Sequence, residues 1–323
     1  MDRRQALKTL AGAAAAQVAQ AAPQASPQAA PAPDGQAAPA PDGQAARRAT
    51  PPQVIVFSQN LVQIGYPELG DIVHQLGFDG VDLSVLPGGH VEPRIANVDE
   101  VRAFEVMEGA GLSVPVITTV VTSPMDRTAL PVIAFAGMSH VPLFRPGTWP
   151  YNNAPNIMQR IGEVQRDLAG LLAFGRQYGT AAAFHNPAGD NVGAAVWDIQ
   201  RILEPFDANL AGFYFDICNA TAEGGAGGWE IALRLALPRL KAVTIQDFIW
   251  EKQNEHWQMT KCPLGQGMVD WPKFFKLLAQ ANYAGPVTLE IGYPVRDMPS
   301  ALTRDLQFAR KQLQTAWGAG AKT

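Results

Sequence analysis

Cysteine is almost absent from this chain, with two, Cys218 and Cys262, in 323 residues. A sequence of this length can bury a core without a disulfide framework, so a bridge between the two is expected only as an incidental one, should their loops meet. Charge is also sparse: Asp, Glu, Lys and Arg make up 17% of the residues, and no block of basic residues occurs in the body of the chain. Tracking a phosphate backbone needs such a block, so nucleic acid is not an expected partner. Long apolar runs are missing as well. The most apolar early stretch, rich in alanine, is shorter and weaker than the roughly 20 residues a membrane-spanning helix requires. Finally, the first strand-like segment, "QVIVFS", runs into "SQNLVQIGYPELG". That turn lacks the glycine pattern by which open α/β sheets cradle a dinucleotide.

What is present divides at about residue 50. "MDRRQALKTLAGAAAA" places Arg3 and Arg4 before a mild apolar run that ends near the small triplet Ala19-Gln20-Ala21. This order resembles a twin-arginine export signal over residues 1–21, which implies an encounter with the export machinery and a periplasmic or otherwise exported destination. Residues 22–50 form a linker in which "APAPDGQA" is written twice between Ala30 and Ala45. Alternating Ala and Pro offers no apolar face, so the segment is expected to stay extended and solvated. Without the first 50 residues the body carries 20 basic and 26 acidic groups, net −6.

Over 51–317 strand-like and helix-like text alternate, and 318–323 read as a tail. Strands are predicted at 53–58, 79–85, 113–119, 139–145, 180–186, 212–216, 241–247 and 286–292. Helical periodicity is predicted at 66–77, 97–110, 155–178, 193–204, 229–236, 270–281 and 299–316, with a weaker helix interrupted by Pro131. Eight strands with crossovers in this length match a single (β/α)₈ TIM barrel, and strands buried on both faces account for their apolar runs. The small residues and glycines after Asp216 read as a loop, and so does the long segment "DFIWEKQNEHWQMTKCPLGQG".

A barrel of this kind carries its site at the carboxyl ends of its strands. The tips offer Gln59 and Asn60, Asp82 and Ser84, Arg145, His185 and Asn186, Asp216, Gln246 and Asp247, and Glu290. An acid at the end of a buried strand needs a donor, a cation or a substrate beside it. Asp247 either faces the site or caps its own loop, since period-two alternation sends Gln246 inward and Asp247 aside. Trp250 and Trp257 in the long loop could stack on a sugar ring or form a contact between copies of the chain, and Lys252, His256 and Lys261 could meet an anionic substituent.

The segments "GFDGVDLSVLPGGHVEP", "AFHNPAGDNVGAAVWDI", "GFYFDICNATAEGGAGGW", "TIQDFIW", "CPLGQGMVDW" and "VTLEIGY" occur in order after successive strands. Together they resemble the sugar phosphate isomerase/epimerase family, the xylose-isomerase-like TIM barrels, from about Val54 to Trp317. The resemblance implies a divalent metal (Mn, Mg, Co or Zn) and proton transfer beside the carbonyl of a small sugar. It assigns Glu290 as ligand and base, Asp216 as a ligand and His185 as ligand and proton-handling group, with Gln246 able to ligate through its carbonyl oxygen. His90, Arg145, Asn186, Asn219, Asp247, Trp250 and Trp257 are the implied substrate contacts.

The departures are equally visible. His185-Asn186-Pro187 lacks a second histidine, Asn219 stands where relatives carry one, Thr244 replaces another ligand, and Gln246 replaces a lysine. The four-ligand set is therefore not fully written in this chain. A metal-assisted isomerase or epimerase is the expected function, alongside a dehydratase or lyase of a polyol or keto-sugar and a non-catalytic carbohydrate-binding barrel. An abasic-site endonuclease on the same barrel is disfavoured by the acidic charge and by only five histidines.

Overall fold

The computed structural model describes residues 50–318. The export signal and nearly all of the linker, like most of the tail, lie outside the described residues. Eight parallel strands close into a barrel: β1 (Val54–Phe57), β2 (Gly80–Val85), β3 (Ser113–Thr119), β4 (Leu143–Arg145), β5 (Ala181–His185), β6 (Ala211–Asp216), β7 (Leu240–Ile245) and β10 (Val287–Leu289), with β1 pairing both β2 and β10. Helices α1 (Tyr66–Leu76), α2 (Ala96–Gly109), α3 (Ala129–Met138), α4 (Ile157–Tyr178), α5 (Val196–Leu203), α6 (Ile217–Ala236), α7 (Trp271–Gln280) and α8 (Met298–Trp317) fill the crossovers. Pro131 does not interrupt α3. It occupies the first turn, where its missing N–H has no intrahelical partner to lose.

Two segments differ from their sequence reading. The glycine-bearing stretch after Asp216 is helix rather than loop. Asp216 is the N-cap of α6, its carboxylate accepting from the Asn219 amide at 2.9 Å, and the helical backbone breaks only at Gly225 (φ 62°, ψ −159°). The cap and the burial of Ile217, Cys218 and Ala220 outweigh the poor helix propensity of the glycines. The aromatic segment after β7 is a β-hairpin, β8 (Asp247–Gln253) and β9 (His256–Cys262), turning through Asn254 and Glu255, both at positive φ.

Alternation along the barrel strands sorts the interior into layers. Ile55, Val116, Leu143, Ala183 and Ala242 form an apolar layer around the ring of Tyr214. Above it sits a polar one. The Tyr214 hydroxyl lies 2.6 Å from both Asp82 Oδ2 and Thr288 Oγ1, so that in donating to the carboxylate it accepts from the threonine, while the Thr118 hydroxyl donates to Asp82 Oδ1 at 2.7 Å. Burial pushes the Asp82 carboxyl up to about 6, against the hydrogen bond from Tyr214, the charge of Arg145 and the hydroxyls of Thr118 and Thr288. The uppermost inward residues, one step further along the strands, are Ser84, Arg145, His185, Asp216, Gln246 and Glu290.

Asp247 begins the hairpin and faces away from this column. Its Oδ1 accepts from the amides of Phe248 (2.9 Å) and Val269 (3.2 Å), and its Oδ2 from Gly265 (2.9 Å), Gly267 (3.1 Å) and the indole of Trp271 (2.9 Å). Gly267 must be glycine for this approach, because a Cβ there would stand 2.1 Å from Asp247 Oδ1. Five donors on one carboxylate fix the root of the hairpin to the start of α7.

Two predictions follow from these buried acids. Asp247→Asn replaces an acceptor oxygen with a donor facing several N–H groups. It is expected to lower stability by about 2–4 kcal/mol in urea unfolding and to remove hydrogen-exchange protection from β8 and β9. Asp82 has its folded pKa raised, so its contribution is fully present below the ordinary carboxylate pKa and is lost as pH rises through about 6. Relative to wild type, Asp82→Asn should therefore gain about 2 kcal/mol as pH rises from about 4 to about 6, read as the difference between paired denaturation curves.

Candidate active site

Asp216 is the hub of the barrel mouth. It is fully buried, with Oδ1 on the α6 cap and Oδ2 facing His185 Nε2 and Gln246 Nε2, each at 3.4 Å. Burial opposes its ionisation, but the His185 hydrogen bond, the charges of Lys261 and His185 and the Asn219 amide together hold its carboxyl below the usual range. His185 shows the converse. Burial, and then the Arg145 guanidinium, bring its pKa down to about 4 despite Asp216, so the ring is neutral near pH 7 and donates Nε2–H to the carboxylate.

Glu290 follows the last barrel strand, and its own amide donates to Ile245 O. Asn60, from the 3₁₀ turn Ser58–Leu61 after β1, clamps the neighbouring peptide from both sides: its Nδ2 donates to Ile291 O at 2.9 Å and its Oδ1 accepts from Ile291 N at 3.0 Å. Among the described residues no hydrogen bond reaches the Glu290 carboxylate. Burial raises its pKa, which Asp216 and Asp82 push further up while Arg145 and Lys261 counteract. Glu290 thus feels the charge of Asp216, and Lys261 acts on both acids, which places both at one mouth.

Arg145 ends β4 and lies with its guanidinium carbon 5.3 Å from the centroid of the Tyr214 ring. Lys261 is the second cation. It comes from β9, where it pairs with Phe248, and its Nζ lies 3.3 Å from Asn219 Oδ1 and 3.1 Å from Cys218 Sγ. Alternation puts Phe248, Trp250, Lys252, Trp257, Met259 and Lys261 on one face of the hairpin. Phe248 is buried and Lys261 reaches the α6 cap, so the root of this face looks into the mouth. Further out it presents Trp250 and Trp257, 42% and 68% exposed. Sequence reading placed Lys261 no closer than a possible anion contact, offered Asp82 at a strand tip without a role, and did not name Tyr214. The signals that mark them are the apolar alternation of "GVDLSV" and the turn-forming Asn254, which converts "HWQMTK" into a strand with Trp257, Met259 and Lys261 on one side.

The other expected contacts are spread more widely. Asn186 is consumed by the frame: its Oδ1 accepts from Asp216 N at 2.7 Å and its Nδ2 donates to Asp216 O at 3.0 Å. Asn219 donates Nδ2–H to Asn186 O at 3.0 Å and offers Oδ1 to Lys261. Asp247 serves the hairpin root. His90 stands on the β1–β2 side, its Nε2 3.1 Å from Ile64 O and its amide donating to Ser84 Oγ. Burial lowers its pKa, and Nδ1 is buried without a partner among the described residues. No hydrogen bond joins His90 to Asp216 or Glu290 among them. Lys252 pairs with Glu255 at the hairpin tip, and His256 lies on the opposite face of the hairpin. Cys218 and Cys262 are both free thiols.

The donor set does not fit a divalent cation. Among the described residues no three His, Cys, Asp or Glu side chains stand close enough to share one ion. Of the four expected ligands, Gln246 turns its amide nitrogen to Asp216, His185 directs its Nε2 to the same oxygen, and only the Glu290 carboxylate is without such an engagement.

No curated protein matches the sequence. Solved structures that resemble the fold include the 3-keto-D-glucoside 4-epimerase of E. coli (16% identity, TM-score 0.62, covering 80% of this chain and 99% of that one). An L-ribulose 3-epimerase is similar as well (16%, 0.64, 82% and 95%). A xylose isomerase-like TIM barrel protein from Mycobacterium smegmatis, solved in complex with magnesium, is a third (14%, 0.63, 83% and 98%). At such identities the likeness concerns the fold. The sequence match is more direct and spans most of the barrel: through residues 70–312 this chain belongs to the Xylose isomerase-like TIM barrel family.

Proposed function

We propose that this protein is a sugar isomerase or epimerase that moves a proton on a carbon next to a carbonyl, acting on an unphosphorylated sugar or sugar derivative outside the cytoplasm. The observation that carries the reading is Glu290: a half-buried carboxylate at the mouth with no hydrogen bond from the described residues and a raised pKa, within reach of the charges of Arg145 and Lys261. Such a group is a base tuned toward neutrality. The sugar epimerases among the similar folds and the exposed indoles of Trp250 and Trp257 beside the mouth support a sugar as the substrate. The location rests on Arg3, Arg4 and the alanine-rich run behind them.

In the proposed reaction Glu290 removes the proton from the carbon beside the carbonyl and becomes a carboxylic acid, and the electron pair moves to the carbonyl oxygen as an enediolate. Arg145 lies within electrostatic reach of that charge. A proton delivered to the same carbon from the opposite side by a second group gives an epimer; the Glu290 proton returned to the former carbonyl carbon, with the neighbouring hydroxyl passing its proton to the enediolate oxygen, gives an isomer. Neutral His185, oriented by Asp216, is the second proton-handling group. A bound divalent ion would supply Lewis-acid polarisation of the carbonyl, but the donor set does not fit one, and these steps use the chain's own groups.

The test is proton exchange in D₂O followed by NMR, with L-ribulose, D-allulose, D-fructose and a 3-keto-D-glucoside as candidates. Wild type should incorporate deuterium beside the carbonyl of at least one, and Glu290→Gln should slow this about a thousandfold. Because only ionised Glu290 is a base, the rate should climb as pH rises through a pKa above the ordinary glutamate range. Exchange that survives Glu290→Gln unchanged refutes the assignment, and sugar binding without exchange points to the carbohydrate-binding barrel instead.

A further inference from the structure

Lys261 is the charged group that the hairpin, rather than the barrel, brings to the mouth, and nothing in the proton-transfer scheme above accounts for it. We propose that its ammonium is the resident cation of this site, standing where a divalent ion would otherwise serve, so that the chemistry proceeds without a metal. The inference rests on the proposed isomerase reading and names the group that stabilises its intermediate.

Two features of the geometry and one of the charge distribution support it. The ammonium lies within hydrogen-bond distance of Asn219 Oδ1 (3.3 Å) and Cys218 Sγ (3.1 Å), both in the first turn of α6 beside the Asp216 cap. Its charge is felt by Asp216 and by Glu290, the two carboxylates that would flank a metal. The side chain reaches this position by lying against Gly292, two residues beyond Glu290: a Cβ there would stand 3.1 Å from Lys261 Cγ and 2.8 Å from Gln246 Oε1. A bare glycine thus leaves room for the lysine stem at the place where the last barrel strand delivers its base.

The electrostatics agree. Burial alone would favour the neutral amine, yet Asp216, Cys218 and Glu290 raise the Lys261 pKa above its ordinary value, so the group stays charged. A fixed monocation whose charge acts on both carboxylates offsets part of what a metal would offset and repels a dication that tried to enter. It also explains why Asn219 and Gln246 can replace ligands: an ammonium needs acceptor oxygens and tolerates neutral neighbours. In the reaction the ammonium donates to the oxygen on which the enediolate charge develops, while the abstracted proton resides on Glu290 and later returns to carbon.

The test compares full-length wild type, Lys261→Met, which keeps the stem against Gly292, and Lys261→Arg, with equal thermal melting certifying the fold. Mn²⁺ is titrated and free ion read by electron paramagnetic resonance. Removing this positive charge lowers the repulsion an entering dication meets beside Asp216 and Glu290, so Lys261→Met should bind Mn²⁺ at least about tenfold more tightly than wild type or Lys261→Arg. Equal affinities across the three, including no binding by any, overturn the proposal. For a sugar that exchanges, wild type should keep its rate after exhaustive chelation and Lys261→Met should lose about a hundredfold; loss of the wild-type rate on chelation overturns it. If no sugar exchanges, the isomerase reading fails while the Mn²⁺ comparison still decides the role of Lys261.

Discussion

The closure of eight parallel strands into one ring is the constraint on which everything else in this molecule depends. Once the ring is closed, every second residue of a strand points to the axis, and the last such residue lies at the mouth. Ala183, Tyr214 and Ala242 therefore lie deep in the barrel while His185 and Asp216, one repeat further on, and Gln246, two repeats on, look out of it. Side chains from strands more than a hundred residues apart in sequence meet because the pleat has no other place to put them. The polar layer of Asp82, Thr118, Tyr214 and Thr288 is the transition between these zones, and its hydrogen bonds let a carboxylate lie inside a barrel that is otherwise filled with hydrocarbon.

Charge balance at the mouth follows from that geometry. Three carboxylates, Asp82, Asp216 and Glu290, share two cations, Arg145 and Lys261, with His185 neutral near pH 7. The three acids are not equivalent. Asp216 is held ionised by its cap and its imidazole, Asp82 is close to half-ionised near pH 6, and Glu290 is raised with no hydrogen bond from the described residues to stabilise its anion. Carboxyl groups pushed apart in this way can divide the labour of structure and chemistry among themselves.

Much of this was legible in the sequence, because alternation and strand order are local properties. The apolar runs gave the barrel, and the ends of "AAAFH", "GFYFD" and "VTLEIG" gave His185, Asp216 and Glu290. The same period-two argument set Asp247 aside from Gln246. What was not legible depended on context the sequence does not encode locally. "ICNATAEGG" has the composition of a loop, and it becomes helix through a cap and buried contacts that exist only when Asp216 is in place. "DFIWEKQNEHWQMTK" conceals a hairpin whose register decides which residues face inward; without that register, Lys261 is one surface lysine among several. Asp82, in mid-strand, shows its importance only when Tyr214 arrives from across the barrel.

The hairpin has one more implication. Its root is fastened by the five donors on Asp247, while its tip carries Trp257 far into solvent, four residues and about 14 Å of strand beyond Lys261. A root fastened in this way sets a fulcrum beside the charged centre. Any displacement of the aromatic end about that point would scarcely move the ammonium, so the field inside the entrance is insulated from changes at its rim.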